Sequence, residues 1–220
     1  MTSREIVRKS LYFQSPPRMP YWFPEPYGAD IFFTGLSPST DARCANGIDE
    51  WGCVWESLSE AMGEVKDSPL KNWDDFDKLR VPDAMEDSRY ANVRTARGEH
   101  KDKYIIMSIP SIYERALFIR GFENAQADIL EYPEYMAALV NLLTDINISI
   151  IRRCKDYDVD AIIQWDDWGL QDRLMINPVK WREIWKPAYK RLYTEVCNVG
   201  MDVFLHSCGY IGLLRRRVWL

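Results

Sequence analysis

Short apolar runs separated by helix-length segments constrain this chain more than any other feature. Tyr104–Ile109 reads as a strand stopped by Pro110. Val159–Trp165 and Met201–Leu205 are two more such runs, and a helical segment lies between them, opened by Asn177-Pro178 and ended near Gly200. Between the first two strands, residues 112–129 read as a helix interrupted near Gly121, and Pro133 opens a long helix through about Tyr157. Met136, Leu139, Val140, Leu143, Ile146 and Ile150 recur in it at helical spacing and define one buried face. Continuously apolar short strands suit a parallel sheet covered on both faces. The alternation predicts an α/β fold, and right-handed crossovers let the sheet wind open or close as a barrel.

The N-terminal half is less regular. Residues 3–14 read as a short helix capped by Thr2 or Ser3 and ended by Pro16 and Pro17. Met19–Phe23 reads as a short strand closed by Pro24 and Pro26, and residues 28–48 as loop. Asp49–Trp55 is either a strand end or an irregular aromatic segment. Residues 63–83 are turn-rich, with Asp74 and Asp75 opening a short helix up to Leu79. About five strands result if the Asp49 segment ends one.

Bulk properties narrow the class. With 220 residues, 47% of them hydrophobic, residues 1–220 suffice for a single domain with one large core. The 28 Lys and Arg against 33 Asp and Glu give a net charge of −5, which argues against a nucleic-acid footprint. Five scattered cysteines do not make a disulfide framework. Met1–Ser10 carries no secretory pattern, and no apolar run approaches the ~18–20 residues that cross a bilayer. A reducing, cytoplasmic setting without membrane contact is the expectation. The nine tryptophans and twelve tyrosines fill core and interface or line a large pocket.

The polar residues of chemical interest follow strands. Asp166-Asp167-Trp168-Gly169 follows the run ending at Trp165, and His206-Ser207-Cys208-Gly209 the run ending at Leu205. Asp49-Glu50-Trp51-Gly52 follows a third candidate. Ligands bind at the carboxyl ends of strands in both barrels and open sheets. His206 and Cys208, two apart, face one side of a strand, and imidazole with thiolate suits zinc; two buried core residues are the plainer reading. Asp166 and Asp167 either cap the next helix or orient a ligand, and Asp49 and Glu50 are either solvated loop acids or site residues. His100 lies in a charged loop and reads as exposed, and Arg215–Arg217 as a solvated tail. No phosphate-binding glycine loop and no serine elbow is present.

Taken in order, these segments resemble the uroporphyrinogen decarboxylase superfamily, which includes cobalamin-dependent methyltransferases. The resemblance runs from about Ser3 to Ile211. It rests on Arg4-Glu5 and Pro17-Arg18-Met19-Pro20, Asp49-Glu50-Trp51-Gly52, Asp67-Ser68-Pro69-Leu70, Asp74-Asp75-Phe76-Asp77-Lys78-Leu79 and Arg120-Gly121-Phe122-Glu123-Asn124. Asp166-Asp167-Trp168-Gly169-x-Gln171 and His206-Ser207-Cys208-Gly209 complete it. It implies a (β/α)8 TIM barrel of which this chain holds about the first five strands, without the C-terminal part. The closing Leu213–Leu220 does not match the family's next helix, which points to a fragment or a shifted frame. The decarboxylases' arginine-rich segment after the first strand is replaced by Phe23-Pro24-Glu25-Pro26-Tyr27-Gly28, so a polycarboxylate substrate lacks its cations.

The methyltransferase branch is therefore the nearer likeness. It implies zinc on His206 and Cys208, with a third ligand on a more distant cysteine outside this chain. It also implies a thiol-type small-molecule acceptor and a corrinoid carried by a partner protein. Asp166, Asp167 and Gln171 would orient acceptor or corrinoid, and Trp51 and Trp168 would contact substrate. The alternative is decarboxylation of a tetrapyrrole, with Asp49 as the aspartate that meets the pyrrole nitrogens. A third reading is an inactive or ligand-binding partial barrel, whose exposed sheet edges would drive homodimerisation or self-association.

Overall fold

In the computed structural model, the structure describes residues 1–24, 26–40, 44, 47–56 and 63–215. Helix α1 (Ser3–Leu11) opens at Thr2, whose side chain accepts the Glu5 N–H while the Glu5 carboxylate accepts the Thr2 N–H. The parallel sheet is built from β1 (Ile31–Gly35), β4 (Tyr104–Ile109), β5 (Ala161–Trp165) and β6 (Asp202–His206), in that spatial order. A separate antiparallel hairpin joins β2 (Val54–Glu56) and β3 (Glu64–Asp67). Helix α2 (Ala91–Glu99) precedes β4, helices α3 (Tyr113–Arg120), α4 (Phe122–Glu131) and α5 (Pro133–Cys154) link β4 to β5, and α6 (Pro178–Asn198) links β5 to β6. A short helix α7 (Gly212–Arg215) follows.

The two sheet faces separate by strand period. Ile105, Met107, Ile109 and Ile162 point into the large core under the helices, with Phe32, Val203 and Leu205 packed against it. Tyr104, Ile106, Ala161 and Ile163 point the other way and meet Val7 and Leu11 of α1, with Ile31, Phe33 and Phe204 beside them. Helix α5 is long and apolar enough, by length and composition alone, to cross a bilayer. Its Met136, Leu139, Val140, Leu143, Ile150 and Ile151 are buried in the protein core instead.

The α/β class, α3 through α6 and the strands β4, β5 and β6 match the sequence expectation within a residue or three. The first strand does not. Met19–Phe23 is no strand: Trp22 makes one isolated bridge to Ala29, and β1 lies in the stretch read as loop. Asp49–Trp55 leads into the β2–β3 hairpin rather than the main sheet, so among the described residues four parallel strands replace the expected five. Short strands flanked by Gly and Pro carry too few residues for their periodicity to be decisive. His100 is half-buried rather than exposed, stacked on Phe32 with ring centroids 3.6 Å apart. Arg216, Arg217 and the Arg215 side chain lie outside the described residues.

Two buried carboxylates, Asp30 and Asp160, and the half-buried Asp202 hold the N-terminal segment at the amino ends of the strands. Asp160 accepts from Arg4 Nε at 2.6 Å, Arg8 Nη2 at 2.9 Å, Arg97 Nη2 at 2.5 Å and the Ile105 amide at 2.9 Å. Asp202 accepts from the hydroxyls of Tyr12 and Tyr104. Asp30 accepts from both Nη atoms of Arg18, from Ser3 Oγ and from the Tyr21 amide. The Arg18 bonds hold the Asp30 pKa far below the usual carboxylate range, against the opposing effect of burial. A depressed carboxylate pKa contributes stability that is complete above the unfolded value and is lost as pH falls towards the folded one. Below about pH 4 the wild type should therefore lose stability steeply, and Asp30→Asn should flatten that limb while being less stable at pH 7. Urea titrations at pH 7, 4 and 3 read both effects.

Candidate functional site

Trp165 and His206 are register partners at the carboxyl ends of β5 and β6, and the loops that follow them are bound to each other. The Asp166 amide donates to His206 O at 3.0 Å, the Cys208 amide to Asp167 Oδ1 at 2.6 Å, and the Trp168 amide to Ser207 Oγ at 3.0 Å. The Tyr210 amide closes the set on Leu170 O at 2.7 Å. Gly169 and Gly209 permit this approach. A Cβ on Gly169 would sit 2.6 Å from Tyr210 N, and one on Gly209 2.3 Å from Gly169 O, with Gly209 at φ +75°. The glycine ending each motif is thus a requirement of the loop-to-loop contact.

Three donor groups converge on this pair of loops. His206 Nε2 lies 3.3 Å from Cys208 Sγ and 3.8 Å from Asp167 Oδ1. One ligand atom from each of Asp167, His206 and Cys208 falls within 4.8 Å of the others. Nitrogen, sulfur and carboxylate oxygen form a zinc-compatible set, and three protein donors leave a fourth position open. Asp167, expected only to orient a ligand, therefore stands as a third donor inside this chain. Its hydrogen bond and charge push the Cys208 thiol pKa up. The Trp165 ring lies against His206, centroids 4.8 Å apart, and its indole N–H donates to Ser108 Oγ at 3.0 Å.

The neighbouring Asp166 points the other way. It is completely buried and accepts the amides of Ile112, Tyr113 and Glu114 at 2.9, 3.1 and 2.9 Å, along with the Tyr189 hydroxyl. Burial raises its pKa, opposed by these donors. The expectation that Asp166 orients acceptor or corrinoid is corrected: its carboxylate caps α3 and is closed off from solvent. Trp168 and Trp51 are corrected in the same way, because both are buried core residues, Trp168 edge-on to Trp181 and Tyr189. Gln171 is exposed in the loop that follows β5.

Asp49 organises its own loop. It accepts from the Trp51 and Cys53 amides at 2.9 Å, Trp55 Nε1 at 3.0 Å and Arg115 Nη1 at 2.5 Å. Burial would raise its pKa, but the Trp55 bond and the Arg115 charge outweigh it and hold the value low. Beside it Glu50 takes both its oxygens to Arg89 Nη2. These contacts engage Asp49, expected in the decarboxylase reading to meet pyrrole nitrogens, within its own loop, where its side chain stays partly exposed.

Sequence reasoning missed Glu114, in the first turn of α3. Its carboxylate accepts the Asp167 amide, and it lines a cavity of about 700 Å³ with Lys66, Lys71, Phe118, Asn124 and Met175. Burial, with the charges of Asp166 and Asp167, pushes its pKa up to about 7. An acid in a helix's first turn reads as ordinary dipole compensation, so no local signal marked it.

Comparison with known proteins agrees with this architecture. The family model described as Uroporphyrinogen decarboxylase (URO-D) matches residues 52–217. Curated relatives named uroporphyrinogen decarboxylase, from Bacillus mycoides (strain KBAB4) and Bacillus anthracis, are 24% and 23% identical over 160 residues. Those alignments take in 69% of this chain and 45% of each relative, so the chain spans about half their length. A solved methyltransferase from Methanosarcina mazei superposes with a TM-score of 0.64 at 13% identity, covering 84% of this chain and 53% of that one. The superposition establishes a shared α/β barrel-type fold.

Two outcomes follow from the carboxylates. Asp166→Ala strips a helix cap and a buried hydroxyl of their acceptor, and should cost about 2–4 kcal/mol in urea unfolding. Glu114 has the opposite sign to Asp30. Its folded pKa exceeds its unfolded one, so its stability is complete below about pH 4 and is lost as pH rises through about 7. Glu114→Gln should therefore be more stable than wild type at pH 8, by about 1–3 kcal/mol, with the difference shrinking towards pH 5.

Proposed function

The chain belongs to the uroporphyrinogen decarboxylase family, and from that premise we propose zinc-assisted methyl transfer, from a corrinoid on a partner protein to a small thiol. The convergence of Asp167, His206 and Cys208 carries this reading. Bound zinc would stabilise a coordinated thiolate at neutral pH. The chain's own groups prepare the site. The Asp167 carboxylate is held by the Cys208 amide, and the His206 ring is packed by Trp165. In this reading Gln171, exposed in the loop that follows β5, would meet the acceptor or the corrinoid. The acceptor sulfur uses its own electron pair to form the new S–CH3 bond. The methyl group's bond to its donor breaks with that pair left on the donor, and the thiol proton leaves to solvent.

The name of the fold neighbour, a methyltransferase, supports the same direction. Decarboxylation of a tetrapyrrole is the second reading, favoured by the names of the curated relatives. Two observations weigh against it. The Asp49 carboxylate is filled by four donors from its own protein. Arg89 and Arg115 are already paired with Glu50 and Asp49, which leaves these guanidiniums engaged rather than open to substrate carboxylates.

Zinc titration followed by calorimetry tests the first reading. The wild type should bind one zinc per chain, and Cys208→Ser should weaken it by at least about 100-fold, more than the loss typical of residues that only orient a ligand. Asp167→Asn should also weaken it, and thiol methylation from a methylcorrinoid should fall in both variants. Equal zinc binding by wild type and Cys208→Ser would remove zinc from the proposal. Carbon dioxide release from uroporphyrinogen would favour decarboxylation.

A further inference from the structure

We infer that the cavity between the β2–β3 hairpin and the start of α4 binds a small organic phosphodiester, its singly charged oxyanion seated at the α4 N-terminus. The site uses none of the three zinc-compatible donors and does not depend on the zinc reading. It is built from two segments outside that donor set, Asp67-Ser68-Pro69-Leu70 and Arg120-Gly121-Phe122-Glu123-Asn124. The fold clamps them together. The Leu70 amide donates to Ile119 O at 3.0 Å, and Arg120 Nη1 donates to Leu70 O at 3.1 Å and Lys71 O at 2.7 Å. Asp128 fixes the same guanidinium through Nε at 2.6 Å.

Three kinds of donor converge there. Helix α4 has ten residues, and its N-cap is Gly121, which has no side chain to cap it. The amides of Phe122, Glu123 and Asn124 therefore find no acceptor within the helix, and the helix dipole places partial positive charge at the same end. Ser68 is 8% exposed, and its hydroxyl has no hydrogen-bond partner among the described residues. A buried hydroxyl without a partner is costly, and this one lines the cavity. A Cβ on Gly121 would sit 3.4 Å from Ser68 Oγ and 3.6 Å from Asn124 Nδ2, so hydroxyl and carboxamide both flank the open side of the N-cap. Gly121 holds φ at +85°, a backbone that favours glycine and leaves that point unfilled.

Charge and size select the ligand class. Lys66, Lys71 and Arg120 line the cavity, and so do Glu64, Glu114 and Glu123. Lys66 pairs with Glu64 at 2.7 Å and Lys71 with Asp67, in exposed ion pairs that are worth little and yield readily to another anion. With cations and acids in balance, the helix terminus and the hydroxyl compensate one negative charge, whereas a second meets three carboxylates. Donors arriving from helix, hydroxyl and carboxamide suit tetrahedral oxygens better than a planar carboxylate. The cavity, about 700 Å³ and walled in part by Phe118 and Met175, is far larger than a phosphoryl group and has the size that takes a small organic ligand. A phosphodiester combines one charge, tetrahedral oxygens and two organic arms.

Dimethyl phosphate, titrated at pH 7 and constant ionic strength into the isotopically labelled 220-residue chain, tests this by amide chemical shift. The Phe122, Glu123 and Asn124 amides should shift to saturation. Ser68→Ala should weaken binding about tenfold, with an unchanged circular dichroism spectrum. Methyl phosphate, mostly doubly charged at this pH, should bind more weakly than the diester. The shift map and the ester comparison on the unaltered chain stand without the variant. Shifts that sodium chloride reproduces, or that centre on other residues, overturn the proposal. So does full affinity in Ser68→Ala, since the helix terminus alone then accounts for binding. Tighter binding of methyl phosphate than of the diester overturns it too, because the site then favours the second charge.

Discussion

A single buried carboxylate sets the geometry of the rim. Asp166, immediately after β5, accepts three consecutive amides at the start of α3 and the hydroxyl of Tyr189 on α6. Leaving those groups unpaired in the interior would cost more than any one of the bonds contributes, so strand and helices must meet at this point. Because one acid of the adjacent pair is turned inward as an anchor, the next residue, Asp167, is delivered to the opposite side. There it holds the Cys208 amide beside His206. Anchor and candidate ligand are adjacent in sequence and differ only in which way the backbone turns them.

The two ends of the sheet divide their work. At the amino ends, Asp30, Asp160 and Asp202 bind arginines and tyrosines from the N-terminal segment and from α2 and β4. These contacts fasten α1 under the sheet. At the carboxyl ends the charged groups are less completely matched: Glu114, half-buried between Asp166 and Asp167, is held near neutrality in its proton affinity. Parallel α/β folds concentrate stability at the first end and chemistry at the second, and the candidate ligand set of this chain lies at the second.

Among the acidic motifs, similar sequence hides unlike roles. Asp49-Glu50-Trp51-Gly52 and Asp166-Asp167-Trp168-Gly169 share an acid pair, a tryptophan and a glycine. In the first, both acids are consumed by arginines and local amides. In the second, one acid is consumed and one is presented. Both tryptophans are core residues, so the aromatic element of each motif packs its loop and the carboxylates alone distinguish them.

The amino-acid sequence by itself determined the α/β class, the long helices, the last three strands and the His206–Cys208 pair. Those features depend on local periodicity, on Pro and Gly at helix ends, and on a two-residue spacing within one strand. Only the tertiary structure decided that β1 lies at Ile31–Gly35, that Asp49 and Asp166 are anchors, that Glu114 belongs to the rim, and that Asp167 stands within ligand distance of His206 and Cys208. Each of these is settled by partners distant in the chain: Tyr104 for β1, Arg115 for Asp49, Tyr189 for Asp166 and Cys208 for Asp167. A carboxylate's role is set by which donors reach it, and that is a property of packing rather than of neighbours in sequence.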